Sequence, residues 1–272
     1  MKDSSQVFSQ RKPLAHRLPS FLLYVACGLV FLFLMLPIFI VIPISFSSAT
    51  YLQFPPPGFS LKWYYNYFLS RDWIEATILS LQVASMSTII ATTLGTLLAL
   101  FIVRGNLKGK NLIFFFTVSP MIVPLIIIAI AIYFFYAKLH IIGTVSGLVA
   151  AHTVLAIPYV LVIVSTTLKG FDETLERASL SLGANPLKTF FLITLPVIKP
   201  GLISAALFAF IVSFDELVLA IFITGTSAVT LPKRMWEGIR FEIDPTVAAV
   251  SSLLIVLSTT LLVLVTFIRK KR

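Results

Sequence analysis

Two adjacent carboxylates, Asp215 and Glu216, stand in the otherwise apolar run AFIVSFDELVLAIF, residues 209–222. A charged side chain at mid-membrane costs roughly 2.5–3.5 kcal/mol on insertion scales, and less toward the edge. Two such groups side by side need compensation. Either they pair with Lys233, Arg234 or a neighbouring subunit, or they attract a cationic solute. On one continuous helix they would point about 100° apart, so one would face a pathway and the other a neighbouring helix or subunit. Counted from Pro200 at about 1.5 Å per residue, Asp215 lies ~22 Å along such a helix, in the outer part of a bilayer.

Other residue types with chemical potential form no set. Cys27 is the one cysteine and sits in an apolar run, which predicts a small buried hydrophobe and excludes a disulfide within the chain. His16, His140 and His152 have no metal-ligand spacing, so no metal site is expected, and His152 is expected to pack or to sit at the interface. There is no glycine-lysine phosphate loop, no G-x-G-x-x-G fingerprint and no visible Ser-His-Asp or Cys-His set, so no catalytic residue is assigned. The terminal RKKR follows an apolar run directly, so it reads as an anchor meeting anionic lipid rather than as a nucleic-acid patch.

A second stretch, LERASLSLGANPLKTFFLITLPVIKP at residues 175–200, is mixed in polarity between two apolar runs. Asp172 is suited to cap a helix start, and Glu173 is favoured there by the helix dipole. Leu175, Ala178, Ser179 and Leu182 share one face by their spacing. Gly183 suits a left-handed C-terminal position, and Asn185-Pro186 prevents continuation. A helix of two to three turns is too short to be stable alone in water. It must lie against its own bundle or in a groove of a partner protein.

The elements that position these residues follow from composition. The chain has 272 residues, 58% hydrophobic and 12% charged, with mean hydropathy +1.00. A soluble domain carries about 25% charged residues, so a bilayer is the natural solvent. Apolar runs at about 20–46, 74–103, 111–136, 147–168, 200–223 and 246–268 predict six transmembrane helices in an all-α polytopic membrane protein. The first is too long for a signal-peptide core and reads as an uncleaved anchor. Fifteen of the 21 Lys and Arg residues fall on the side of the termini, which makes both termini cytoplasmic. The segment after span four is then cytoplasmic as well. The organisation expected is a tail at 1–19, a transmembrane domain at 20–268 and a basic tail at 269–272. Pro37, Pro43, Pro120, Pro124 and Pro158 are expected to kink their helices. Trp63, Tyr64, Tyr65 and Tyr67, in the outward loop, are placed for the membrane interface or an outer mouth.

Segment 175–200 resembles the cytoplasmic EAA loop of permease subunits from binding-protein-dependent ABC importers, of type I with a MetI-like fold. The family pattern is E-A-A, three residues, G, nine residues, then I-x-L-P. Here Gly183 is followed by nine residues and then Ile193, Thr194, Leu195 and Pro196. The triplet departs from the pattern: it reads Arg177-Ala178-Ser179, with Glu176 one place early. The resemblance implies a short coupling helix between spans four and five that docks on a cytoplasmic ATPase through Glu176, Arg177, Ala178, Ser179, Leu182, Gly183, Ala184, Asn185 and Pro186. It implies as partners two ATPase subunits, a second permease subunit and a periplasmic or extracellular solute-binding protein, in a bacterial inner membrane. ATP would be used by the partner, with no cofactor bound here. SFDE, residues 213–216, and the stretch 231–258 are similar to permeases of the spermidine/putrescine class. That implies a polyamine pathway past Ser213, Asp215 and Glu216. Permeases for other organic amines or phosphonates look alike. A self-contained ion-coupled transporter and an intramembrane enzyme are the competing classes, and the first would usually spread charged relay residues over several spans.

Overall fold

A computed structural model describes the backbone of residues 17–106, 108–225, 228–242 and 244–270, and side chains over 22–106, 108–225, 228–241 and 244–260. Lys2, Arg11 and Lys12 of the expected tail, and Lys271 and Arg272, lie outside the described residues. The described residues are helical apart from loops, with no strand among them beyond an isolated Ser47–Phe59 bridge. The chain divides into two compact units, residues 1–67 with 243–272, and residues 68–242.

The first unit holds α1 (Arg17–Ser45), most of α2 (Lys62–Leu69) and, after the second unit in sequence, the last helix (Thr246–Lys270). Within Leu22–Ser45 an 18-residue stretch has mean hydropathy 3.0, and Leu22 to Leu34 are exposed. Cys27 shares that exposure, contrary to the burial expected of it. An apolar helix with so little protein packed on it has lipid as its natural surroundings. Trp63 and Tyr67 are buried, and Trp63 Nε1 donates to Ala49 O at 3.1 Å. Tyr64 Oη and Ser45 Oγ share a 2.7 Å hydrogen bond. Tyr65 is exposed.

The second unit is built on three long helices. They are α3 (Arg71–Arg104), α6 (Val145–Lys169) and α9 (Leu195–Phe214), packed through Ala91, Ala99, Ala156, Val160, Leu161, Ile198, Ala205 and Ala209. Small residues dominate because apolar burial does not drive helices together in lipid; close van der Waals approach does. Gly95 marks a close approach of α3 to α6, since a Cβ there would lie 2.7 Å from Val160 Cβ. Between α3 and α6 the chain forms α4 (Lys110–Val118), a 3-10 turn and α5 (Leu125–Leu139). The run expected as one span at 111–136 is bent there by 101°. Pro124 explains the break, because it has no N–H to continue a ladder.

After α6 come α7 (Thr174–Ser181), α8 (Pro186–Thr189), a π segment (Phe190–Thr194), α9, α10 (Val218–Ile223), α11 (Leu231–Glu237) and a second π segment (Gly238–Glu242). The final helix is α12, Thr246–Lys270. The fifth span differs from expectation at both ends. Its helix runs from Pro186 to Phe214, not 200–223. α7 ends at Ser181, before Asn185-Pro186, which starts the next helix: Asn185 Oδ1 accepts from Lys188 N at 2.8 Å, with Pro186 at the first turn. Among the described residues four helices are long and apolar enough to cross a bilayer, or five with the bent pair as one span. Thr246–Thr260 is a shorter apolar helix.

Candidate functional site

Two places in the second unit gather charged groups in unlike ways. The first is α7. Asp172 Oδ1 accepts from Thr174 N at 2.9 Å, and hydrogen bonding from Thr174 holds its carboxyl below the usual carboxylate range. At the other end Gly183 has φ +89°, with Gly183 N bonded to Leu180 O and Ala184 N to Ser179 O. These are the two bonds of a Schellman cap, which needs a left-handed residue where glycine stands.

What holds so short a helix is a clasp of side chains. Arg104, in the last turn of α3, donates from Nη1 to Glu173 Oε1 at 2.7 Å, and its Nε lies 3.0 Å from Glu176 Oε2. Its guanidinium also lies 5.6 Å from the buried Phe171 ring. The other oxygen of Glu176 accepts from Thr194 Oγ1 at 2.7 Å, and Ser179 Oγ shares a 3.0 Å bond with Thr189 Oγ1. Hydrogen bonds to charged groups contribute about 1.5–3 kcal/mol each, far above an exposed ion pair. Sequence reasoning counted Arg104 only as an inward-side charge. The available signal was Glu176 standing one place early, a carboxylate displaced from the pattern and so free to take a partner within the chain.

The predicted coupling residues therefore divide. Glu176 and Ser179 turn inward, which removes Ser179 from the outer face it was expected to share. Leu175, Ala178 and Leu182 remain exposed, Leu182 at 89%. Arg177 is exposed and pairs with Glu173 at 3.1 Å. Ala184 is half-buried, and Asn185 and Pro186 belong to the start of the next helix.

The second place is the acidic pair, and the continuous helix expected around it is corrected. α9 ends at Phe214, Asp215 caps it, and α10 begins at Val218. Glu216 Oε1 accepts from Leu219 N at 2.9 Å, so the carboxylate replaces the missing ladder partner at the start of α10. Asp215 is exposed, whereas Glu216 is buried at 9%. Of the two alternatives for the acids, pairing with Lys233 does not occur: Lys233 Nζ donates to Thr224 Oγ1 at 2.8 Å and to Gly225 O. Arg234 lies over the Trp73 ring at 5.4 Å. Ser213, expected on a pathway, is buried and meets His152, whose Nδ1 lies 2.9 Å from Ser213 Oγ and 3.0 Å from Ser213 O. His152 thus packs within the protein, joining α6 to α9.

Glu216 borders a cavity of about 280 Å³. Pro120, Met121, Val123 and Leu125 line it from the bend between α4 and α5, Leu155 and Tyr159 from α6, and Val212 from α9. Tyr159 stacks on Phe208 at 5.9 Å. At membrane depth, irregular backbone persists only where protein buries it or where it lines a cavity. Here a bend and a break meet at one cavity, which carries a carboxylate and a tyrosine on otherwise apolar walls.

Long small-residue helices, a broken helix beside a cavity and a clasped surface helix define a membrane transport subunit. The chain belongs to the family of binding-protein-dependent transport system inner membrane components, which matches residues 91–272. It is similar to the putrescine transport system permease protein PotI of Escherichia coli K12, 34% identical over 232 residues, 83% of this chain and 82% of that one. It is 31% identical over 242 residues to the spermidine/putrescine transport system permease protein PotC of Haemophilus influenzae, covering 89% and 94% of the two chains. Among solved structures, a bacterial ABC transporter involved in import of the acidic polysaccharide alginate matches with TM-score 0.74 at 14% identity, over 95% of this chain and 98% of that one. That last likeness concerns the fold alone. The protein is a permease subunit of an ABC importer and a multi-pass inner-membrane protein. Such subunits work with an ATPase and a substrate-binding protein.

Proposed function

We propose that this subunit forms half of a translocation pathway for a small cationic solute, a polyamine of the spermidine/putrescine kind. The observation that carries the reading is the break at Asp215–Glu216, which leaves Asp215 exposed and sets the buried Glu216 carboxylate beside a cavity with a tyrosine. An ammonium group leaving water needs anionic oxygen and is drawn to an aromatic face. The names of the relatives PotI and PotC agree with that chemistry. The same break gives the two acids different tasks. Asp215, exposed, would meet the solute first, and Glu216 would meet it in the cavity while still capping α10.

The topology that fits is six spans with both termini cytoplasmic, a tail at 1–19, the permease domain at 20–268 and a basic tail at 269–272. The excess of Lys and Arg on that side supports it. α7 would then be the cytoplasmic coupling helix, offering Leu182 and its neighbours to an ATPase. Two ATPase subunits, a second permease and an external solute-binding protein complete the assembly, with ATP consumed by the partner.

Uptake of radiolabelled putrescine and spermidine into proteoliposomes holding the assembled importer tests this. Asp215→Asn and Glu216→Gln should each slow uptake about tenfold or more, the size of one lost charge contact. Wild-type uptake of both polyamines in both variants would rule out the charge-attraction pathway.

A further inference from the structure

The clasp on α7 has a geometry that the local sequence does not require. Thr189 and Thr194 are five residues apart and both buried, yet both reach α7. On a regular α-helix, positions five apart point about 140° away from each other. The π segment Phe190–Thr194 removes that divergence. Leu195 N bonds to Phe190 O across five residues, a wider turn that accommodates one extra residue. Both hydroxyls then lie toward α7, one on Ser179 and one on Glu176. Single π turns inserted in α-helices are frequent at functional sites.

The other half of the clasp comes from α3. Arg104 is 19% exposed and receives Glu173, Glu176 and the Phe171 ring. Its position in the last helical turn also suits a cation. Lys110 Nζ closes the same helix end by donating to Gly105 O at 3.1 Å. Through one carboxylate, Glu176, α7 is therefore tied to the end of α3 and to the base of α9, two of the three helices that form the buried core of this unit.

We propose that Arg104, Glu176 and Thr194 are positioning residues for energy coupling: they fasten α7 to α3 and α9, so that displacement of α7 is delivered to the core helices instead of being absorbed by the loops on either side. This rests on α7 being the helix that docks on the ATPase. The clasp suits transmission because its members come from three separate elements and leave α7 no independent swing. Charge-assisted contacts hold orientation as well as position.

The test uses the complete importer in proteoliposomes. It reads the ratio of binding-protein-stimulated to basal ATP hydrolysis, together with hydrogen exchange over residues 174–184. Arg104→Gln and Thr194→Val should bring the stimulation ratio close to one and speed exchange in α7 about tenfold, the effect of losing one charged hydrogen bond. Arg104→Lys keeps the charge near both carboxylates and should recover at least half of the ratio. A wild-type ratio in Arg104→Gln and Thr194→Val overturns the proposal. So does a loss that Arg104→Lys fails to recover, because that marks a residue needed for folding rather than for aim. Leu182→Asp separates the underlying reading. If it leaves the ATPase bound and stimulated, α7 is not the docking helix. If it abolishes stimulation while the clasp variants keep theirs, docking stands and the clasp falls.

Discussion

Glutamate does opposite work in the two charged regions. At α7 the carboxylate of Glu176 lies against the Arg104 guanidinium on one oxygen and accepts a hydrogen bond from Thr194 on the other. At the helix break Glu216 is more buried in an apolar setting, yet a backbone N–H of its own turn takes one oxygen while a cavity lies beside the side chain. A half-buried carboxylate tied to side chains of other elements joins those elements, whereas a buried one held by the backbone of its own turn borders a cavity. The difference lies in the helices rather than in the residue: α3 brings a guanidinium to Glu176, whereas the bend of α4 and α5 brings apolar walls and space to Glu216.

The strongest way to break this comparison is Arg104→Ala. Removing the shared cation leaves Glu173 and Glu176 facing each other, and losing a charged hydrogen bond in this half-buried cluster costs about 1.5–3 kcal/mol. Unfolding of the purified chain in detergent measures it. A loss below about 1 kcal/mol would place this clasp among ordinary surface pairs.

Glu216→Ala and Glu216→Gln sharpen the other side. Glutamine keeps an oxygen for Leu219 N but loses the charge; alanine loses both. If capping and solute attraction are separate tasks, alanine should lower polyamine uptake about a hundredfold and glutamine about tenfold, near 2.8 and 1.4 kcal/mol. Equal losses would mean that the cap has no part in uptake.

Gly183→Ala comes next. Space is open around its α-carbon, so the cost is backbone strain alone at φ +89°, about 1–2 kcal/mol. It should appear as faster hydrogen exchange over α7 with little effect on the core helices. Asp172→Asn should do least. Its carboxyl is held low by Thr174, so the ionised form contributes at pH above the usual carboxylate range and stops contributing as pH falls through its lowered value. Wild type and variant should therefore differ in α7 exchange at neutral pH and converge in acid.

Local features were readable without coordinates. The stop at Gly183 follows from a residue able to adopt positive φ, and the turn away at Asn185-Pro186 from a missing donor. The acidic pair announced itself by its cost in an apolar run. The long-range half of each site was not readable. Arg104 is distant in sequence from Glu176, and nothing near it distinguishes it from other inward-side cations. The helix break escaped notice because periodicity over 200–223 is set by apolar residues that suit one helix as well as two. Trp63 was placed by its type, which fits an interface, whereas it is buried with its indole N–H on Ala49 O of the loop after Ser45.

Taken alone, the order of amino acids determined that this chain is helical, greasy enough for a bilayer, and stopped and started at named glycine and proline positions, because those properties follow from local sterics and transfer from water. Tertiary structure alone decided which glutamate became a fastener and which borders a cavity. Partner and space are supplied by helices remote in sequence, and neither is a property of the residue itself.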